Sequence, residues 1–174
     1  TVLGRISWAK NHMLDPQELY LQSADPKTEK VAHLFEEYRK ELRKANALDF
    51  DDLLLEAVRL LTHDVPTRER YNRRYEFVMV DEYQDTNRSQ YELMRLLTET
   101  RGNVAVVGDE DQSIYGWRGA NIRNILDFER DFPGATIIRL EQNYRSTKNI
   151  LEAANGVVAH NTERIGKTLW TDSG

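Results

Sequence analysis

Two strings of residues combine side-chain types and spacing that suit nucleotide hydrolysis. The first is an apolar run that ends in Asp81-Glu82 and continues Tyr-Gln-Asp-Thr to residue 86. A carboxylate that follows a buried strand can hold Mg²⁺, and a neighbouring carboxylate can deprotonate the attacking water. We therefore predict Asp81 as a magnesium ligand and Glu82 as the general base. The pair alone also fits a loop or a helix cap, but its continuation and the second string favour a nucleotide site.

The second string follows another apolar run and covers residues 108–120, Gly-Asp-Glu-Asp-Gln-Ser-Ile-Tyr-Gly-Trp-Arg-Gly-Ala. The neutral amide of Gln112 can contact both a γ-phosphate and a water. Tyr115 and Trp117 can stack on unpaired bases of any sequence, and Arg118 can pair with a phosphate or a carboxylate. The string therefore predicts hydrolysis coupled to binding of a nucleic acid. Trp117 could instead belong to the core, but its position between glycine and arginine disfavours burial.

A third polar string, Glu-Gln-Asn-Tyr-Arg-Ser, occupies residues 141–146. Arg145 is a candidate arginine finger, a cation that offsets the charge developing on the transferred phosphoryl group. Tyr144 is a candidate for stacking on adenine. This string is a weak signal alone, because Tyr-Arg pairs are common in loops.

Gly166-Lys167-Thr168 resembles the end of a phosphate-binding loop, but we reject it as one. That motif needs a glycine where this chain has Asn161, and a strand rather than a helix should precede it. No other Gly-rich phosphate loop occurs in the 174 residues. We therefore expect this chain to be an internal fragment of a longer protein and to be inactive in isolation.

Bulk composition excludes several classes of protein. A hydrophobic fraction of 40% can fill a core, so wholesale disorder is not expected. The net charge of −5 means that any nucleic-acid binding must come from a local surface. The chain has no cysteine and no apolar run of transmembrane length, and its four histidines are too scattered for a metal site. These features are compatible with a cytoplasmic protein that contacts no membrane.

The hydrophobic pattern changes from helical to alternating elements along the chain. Residues 1–48 read as helical, with Asp15-Pro16 and Asp25-Pro26 as helix starts. The acidic residues Asp49, Asp51 and Asp52 fit a helix start better than a metal site. One long helix presents an apolar face made of Val31, Leu34, Phe35, Tyr38 and Leu42.

After residue 48, helices alternate with short apolar strands, which argues for an α/β fold with a parallel sheet. The predicted strands are Phe77–Val80, Val104–Val107 and Thr136–Leu140. The predicted helices run from Asp49 or Phe50 to Leu61, from Thr86 or Asn87 to about Thr98, near Asn121–Arg130, and from Thr147 to about His160.

Taken together, the strings resemble motifs of the UvrD/PcrA/Rep family of superfamily 1 DNA helicases. Residues 81–86 resemble its second helicase motif, residues 108–120 the third, and residues 142–146 the fourth. Residues 47–54, Ala-Leu-Asp-Phe-Asp-Asp-Leu-Leu, also match a segment typical of the family. The resemblance covers essentially the whole chain.

The resemblance implies part of a RecA-like P-loop NTPase fold with a preceding helical subdomain. Residues 1–48 would be the later part of that subdomain, which is inserted in the first RecA-like domain. Residues 49–142 would be the C-terminal part of the first RecA-like domain, and residues 143–174 the start of the second. The Walker A loop and the rest of the second RecA-like domain would come from other segments of the same helicase.

The resemblance also implies an activity and a role for each motif residue. The activity would be an ATP-dependent 3′–5′ DNA helicase and single-strand translocase that uses ATP and Mg²⁺ and acts on single-stranded DNA and on junctions with duplex. The implied roles are Mg²⁺ binding for Asp81, activation of water for Glu82, coupling of γ-phosphate to DNA for Gln112, contact with DNA for Tyr115 and Trp117, adenine stacking for Tyr144, and the finger for Arg145.

Two alternatives stay open at the level of the sequence. One is the helicase portion of a helicase–nuclease. A nuclease domain elsewhere in the protein would favour this alternative over a helicase alone. The other is a non-catalytic helical module that binds DNA or a protein partner. A Gly-rich Lys-Thr loop in the parent protein would exclude it.

Overall fold

The computed structural model describes residues 1–161 and 166–173, except for the side chain of Arg118. The helices of this part are α1 (Val2–Asn11), α2 (Pro16–Leu21), α3 (Pro26–Lys44), α4 (Phe50–His63), α5 (Val65–Arg74), α6 (Arg88–Thr98), α7 (Arg123–Leu126), α8 (Phe128–Asp131) and α9 (Lys148–Val158). Its strands are β1 (Val78–Val80) and β2 (Val104–Val106). The chain is therefore mainly helical, with a small α/β element between α5 and α7.

The helix starts predicted from the sequence are confirmed. Asp15 and Asp25 cap α2 and α3, and a proline follows each of them at the first helical position. Asp49 caps α4 and Asn87 caps α6, each in a reciprocal capping box with the residue three positions later. Such caps satisfy backbone N–H groups that have no partner inside the helix, so they fix where each helix begins.

Helices α1, α2 and α3 enclose an apolar core. Its buried members are Ile6, Ala9, Leu19, Val31, Ala32 and Phe35, and Leu14 and Tyr38 pack against them. Leu34, predicted on the same face of α3, is 50% exposed. Only one stripe of α3 contacts α1 and α2, so a residue beside that stripe remains in solvent.

Helix α4 joins this helical part to the α/β element. It packs on α1, α5 and α6, and its Leu55, Val58 and Leu61 are buried. At its start, the buried Lys10 of α1 forms ion pairs with Asp49 and Asp52, both at 2.7 Å. The acidic start of α4 therefore both caps the helix, as predicted, and anchors α1.

The predicted parallel pairing of the first two strands is confirmed. Val78, Met79 and Val80 pair in register with Val104, Ala105 and Val106. The apolar run of β1 is typical of a fully buried strand, but Met79 is 76% exposed. Helix α6 covers one face of β1, and the sheet formed by the described residues has two strands.

The prediction of a third strand was wrong. Residues 135–140 have no regular structure, and Ile138 and Leu140 are 77% and 76% exposed. Strand propensity expresses the fit of a side chain to a pleated, half-buried surface, and no neighbouring strand among the described residues provides one. The helix predicted near residues 121–130 forms as α7 and α8, with a break at Asp127, and α9 matches its prediction closely.

None of the helices in residues 1–161 and 166–173 combines the length and apolarity needed to cross a membrane.

Candidate functional site

Parallel pairing of β1 and β2 brings the first two sequence strings to one edge of the sheet. Asp81 and Glu82 follow β1, and Gly108 and Asp109 follow β2. The amide of Tyr83 donates to the carbonyl of Val107 at 3.0 Å, which fixes the two strand ends side by side. Ligands of parallel α/β sheets bind at this edge.

Glu82 holds an uncommon backbone conformation. Its φ of 50° and ψ of 40° lie in the left-handed region, where a residue with a side chain is strained. Its amide donates to Asp81 Oδ1 at 2.9 Å, and both residues are exposed. The turn therefore presents two adjacent carboxylates to solvent at the end of β1.

Gln84 connects the first string to the second. Its side chain is buried, with Nε2 donating to Glu82 Oε2 at 2.8 Å and Oε1 accepting from the amide of Asp109 at 3.0 Å. A Cβ on Gly108 would lie 2.7 Å from Gln84 Oε1 and 2.9 Å from Ile125 Cδ1. Glycine is therefore required here because the Gln84 amide approaches the backbone closely.

Asp109 continues this chain of contacts to the candidate phosphate sensor. Its Oδ2 accepts from Gln112 Nε2 at 2.7 Å, and its carboxylate forms an ion pair with Lys167. Burial acts to raise the pKa of Asp109, but hydrogen bonds from Lys167 and Gln112, with the charge of Lys167, bring it below its ordinary value. Asp109 is therefore held as an anion. Glu82, Gln84, Asp109 and Gln112 form one network.

A groove of about 1000 Å³ runs beside this network. Glu82, Gln112, Tyr115 and Trp117 all line it, so four predicted site residues share one surface. Trp117 is 72% exposed, which excludes the reading of this residue as core. Its ring lies 6.4 Å from that of Tyr115, between centroids, at a tilt of 44°. The two rings therefore offer an accessible aromatic surface beside the carboxylate turn.

The remaining predicted residues lie elsewhere or cannot be placed. Asp81 sits at the edge of the sheet, outside the groove lining. Tyr144 and Arg145 are exposed and, among the described residues, do not line the groove either. The side chain of Arg118 lies outside the described structure, although its backbone belongs to a 3₁₀ turn over Gly116–Arg118.

The loop that carries Tyr144 and Arg145 is organised by Asn143. Its Oδ1 accepts from the amides of Arg145 and Ser146 at 2.9 and 2.8 Å, and its own amide donates to the carbonyl of Trp170 at 2.7 Å. The hydroxyl of Tyr144 donates to Gln142 Oε1 at 2.8 Å. The loop is thus fixed to the segment around Trp170.

The site has no preformed cage for a metal. No group of three or more His, Cys, Asp or Glu side chains that could hold an ion occurs in residues 1–161 and 166–173. Mg²⁺ in nucleotide sites is commonly bound by one or two carboxylates together with phosphate oxygens and waters. The exposed carboxylate of Asp81 fits that limited role.

Sequence reasoning did not single out several residues of the site. Gln84 and Asp109 were part of the quoted strings, but only the fold reveals them as the links between Glu82 and Gln112. Trp8 and Phe50, which also line the groove, come from α1 and α4, far away in sequence. Nothing in the local sequence pairs those helices with the strings.

Comparison with known proteins agrees with the motif resemblance. The family model of the UvrD/REP helicase N-terminal domain matches residues 2–133, and that of the UvrD-like helicase C-terminal domain matches residues 138–174. The chain is 51% identical over 175 residues to an ATP-dependent DNA helicase PcrA from Leuconostoc citreum and 48% identical over 173 residues to one from Bacillus subtilis. These matches cover 100% and 99% of this chain, but it spans only 23% of the length of either relative.

Proposed function

This chain belongs to the UvrD/REP helicase family, and from that premise we propose that it is part of an ATP-dependent 3′–5′ DNA helicase and single-strand translocase. The observation that carries the proposal is the shared groove. It places the candidate base Glu82 and the candidate sensor Gln112 on the same surface as two exposed aromatic rings. Such an arrangement suits a protein in which hydrolysis is coupled to the movement of stacked bases.

The proposal includes the fold and the domain boundaries. Residues 1–48 would belong to an inserted helical subdomain, residues 49–142 to a first RecA-like domain, and residues 143–174 to a second. The parallel β1–β2 pair supports the first RecA-like domain. The first family-model match ends at residue 133 and the second begins at residue 138, a few residues before the proposed boundary. The phosphate-binding loop would come from another part of a longer, cytoplasmic protein.

In this mechanism Glu82 accepts a proton from the attacking water. Its Oε2 already accepts from Gln84 Nε2, so Oε1 is the oxygen left to take the proton. Asp81 would hold Mg²⁺, which would offset negative charge on the phosphates when bound. The buried Gln84 amide keeps the Glu82 side chain at the strand end, so the base is positioned before any ligand arrives.

Gln112 has one amide hydrogen directed by Asp109. Because an ionised carboxylate can only accept, it fixes the amide with nitrogen towards Asp109 and oxygen away from it. The oxygen and the second N–H remain able to contact water or phosphate. Tyr115 and Trp117 lie three and five residues further along the same loop, so a change at Gln112 can reach the bases that they would stack on.

Arg145 and Tyr144 would contact the nucleotide from the second RecA-like domain. Arg145 would approach the γ-phosphate as the arginine finger, and Tyr144 would stack on adenine. Both side chains are exposed and sit on a loop whose backbone is hydrogen-bonded to the Asn143 side chain. In the full-length protein, Arg145→Ala should lower kcat by about 10³-fold or more. An effect confined to KM would assign Arg145 to ground-state binding instead.

The decisive test of the proposed function is Glu82→Gln in the full-length protein. ATP binding should persist while DNA-stimulated ATPase and unwinding are lost, because the amide keeps the shape but cannot accept a proton. Glu76→Gln is the matched control. Glu76 precedes β1, so it lies at the opposite end of that strand, and its side chain forms a solvent-exposed ion pair with Arg101 at 3.6 Å. Wild-type turnover in Glu82→Gln would remove Glu82 from the role of base.

A further inference from the structure

Lys167 contacts the hydrogen-bond network of the candidate site from the C-terminal part of the chain. It belongs to the Gly-Lys-Thr string that fails as a phosphate-binding loop. Its ammonium group instead forms an ion pair with Asp109 Oδ1. The side chains of Lys167 and Asp109 are only 17% and 21% exposed, so water screens this pair less than an ion pair on the surface.

Asp109 accepts hydrogen bonds both from Lys167 and from the loop after β2, which carries Gln112. Its Oδ1 also accepts from the amide of Asp111 at 3.0 Å, and its Oδ2 accepts from Gln112 Nε2. Its own amide donates to Gln84, which holds Glu82. Lys167 therefore directly contacts the carboxylate that orients Gln112.

Asn161 and Trp170, which lie near Lys167 in the sequence, make further contacts. Asn161 Nδ2 donates to Asp111 Oδ1 at 3.0 Å, which is a second contact with the loop after β2. Trp170, three residues after Lys167, accepts from the amide of Asn143 and donates to the carbonyl of Glu141 at 3.0 Å. Asn161 thus contacts the loop that carries Gln112, and Trp170 contacts the loop that carries Arg145.

Building on the proposed function, we propose that Lys167 is a positioning residue for ATP hydrolysis, which fixes the Asp109 carboxylate and through it the orientation of Gln112. The physical reason is the acceptor capacity of Asp109. With the ammonium present, the half-buried carboxylate is neutralised and both of its oxygens keep defined donors. Without it, a buried charge has lost its partner, so the carboxylate turns towards water or takes up a proton and releases the Gln112 amide.

The test uses the full-length protein and compares Lys167→Met with Lys167→Arg. Lys167→Met should lower DNA-stimulated kcat by about 10- to 100-fold, the usual cost of a misplaced catalytic group, while KM for ATP changes little. The melting temperature should fall as well, because Asp109 loses its cation, so kcat is measured well below that temperature. Lys167→Arg should recover most of the activity, since it restores a cation beside Asp109. Lys148→Met is the control and should behave like wild type. Lys148 is 72% exposed, and its ammonium group lies as far as 4.0 Å from Glu152 Oε1, so this ion pair is weak.

A double-variant cycle decides whether the effect passes through Asp109. Asp109→Asn should lower kcat, and the combination of Asp109→Asn with Lys167→Met should cost no more than the larger single change. Additive losses in the double variant, no recovery in Lys167→Arg, or full activity in Lys167→Met would each overturn the inference while leaving the proposed function intact. A wild-type protein without DNA-dependent ATPase would overturn the proposed function and this inference with it.

Discussion

Replacing Lys10 with Met should destabilise the junction between α1 and α4 strongly. Lys10 is 2% exposed, and its Nζ lies 2.7 Å from both Asp49 Oδ2 and Asp52 Oδ1. Tyr38 also donates to Asp49 Oδ2 at 3.0 Å. Removing one partner of a buried ion pair typically costs about 3–5 kcal/mol, because the remaining charge loses its compensation.

The expected cost lies at the lower end of that range. The side chains of Asp49 and Asp52 are 25% and 14% exposed, so water can partly solvate the abandoned carboxylates. We therefore expect a loss of about 3 kcal/mol, which corresponds to an opening equilibrium raised by about 100-fold. Hydrogen exchange of the α1 and α4 amides in the full-length protein measures this opening directly.

The matched control is Lys40→Met. Lys40 also sits on a helix and pairs with Glu37 Oε1 at 2.8 Å, but the two side chains are 48% and 65% exposed. Exposed pairs of this kind contribute little, so exchange should be unchanged. If Lys10→Met opens α1 no more than Lys40→Met does, the two buried ion pairs do not hold the junction.

The effect of Lys10→Met should also depend on pH. Burial acts to raise the pKa of Asp49, but hydrogen bonds from Lys10 and the Asp52 amide, and the Lys10 charge, bring it below its ordinary value. A carboxylate with a lowered folded pKa stabilises the fold above the unfolded pKa of about 3.9, and that contribution is lost as the pH falls through the folded value. The wild-type advantage should therefore shrink towards pH 3. An equal cost at pH 3 and pH 7 would refute the electrostatic explanation.

Three further predictions concern single substitutions. Trp117→Ala should weaken single-stranded DNA binding of the full-length protein by about 1–3 kcal/mol with little change in melting temperature, because the ring is 72% exposed; unchanged affinity in a fluorescence titration would locate the contact elsewhere. Gly108→Ala should lower both melting temperature and ATP turnover, because its Cβ would lie 2.7 Å from a buried side-chain amide. Gly156→Ala in α9, with nothing within 4 Å of its Cβ, should instead stabilise by about 0.5–1 kcal/mol, and equal behaviour of the two variants would contradict the close approach. Tyr83→Phe removes a buried hydroxyl that has no hydrogen-bond partner in the described part of the chain, so stability should be unchanged or rise by up to about 1 kcal/mol. Tyr91→Phe removes a 2.8 Å bond to a carboxylate of α8 and should cost about 1 kcal/mol, and thermal melts that rank these two variants in the opposite order would refute the argument.

Interactions within a few residues made much of the fold predictable. Asp15, Asp25, Asp49 and Asn87 begin helices because each side chain reaches an amide two or three positions later. Such contacts form wherever the local sequence permits them. The same locality explains the motif strings, since the residues at the ends of β1 and β2 are adjacent along the chain. The sequence alone therefore determined most helix starts, the first two strands and the candidate hydrolysis residues.

Contacts between distant segments depended on the tertiary structure. Lys10 meets Asp49, and Lys167 meets Asp109, across separations that no local pattern encodes. Residues 136–140 have the composition of a strand, yet they form none, because a strand needs a neighbour to receive its hydrogen bonds. Trp117 illustrates the same limit, since its residue type suits both a core and a stacking surface. Only the packing around a side chain sets its exposure, and that packing joins parts of the chain that lie far apart in sequence.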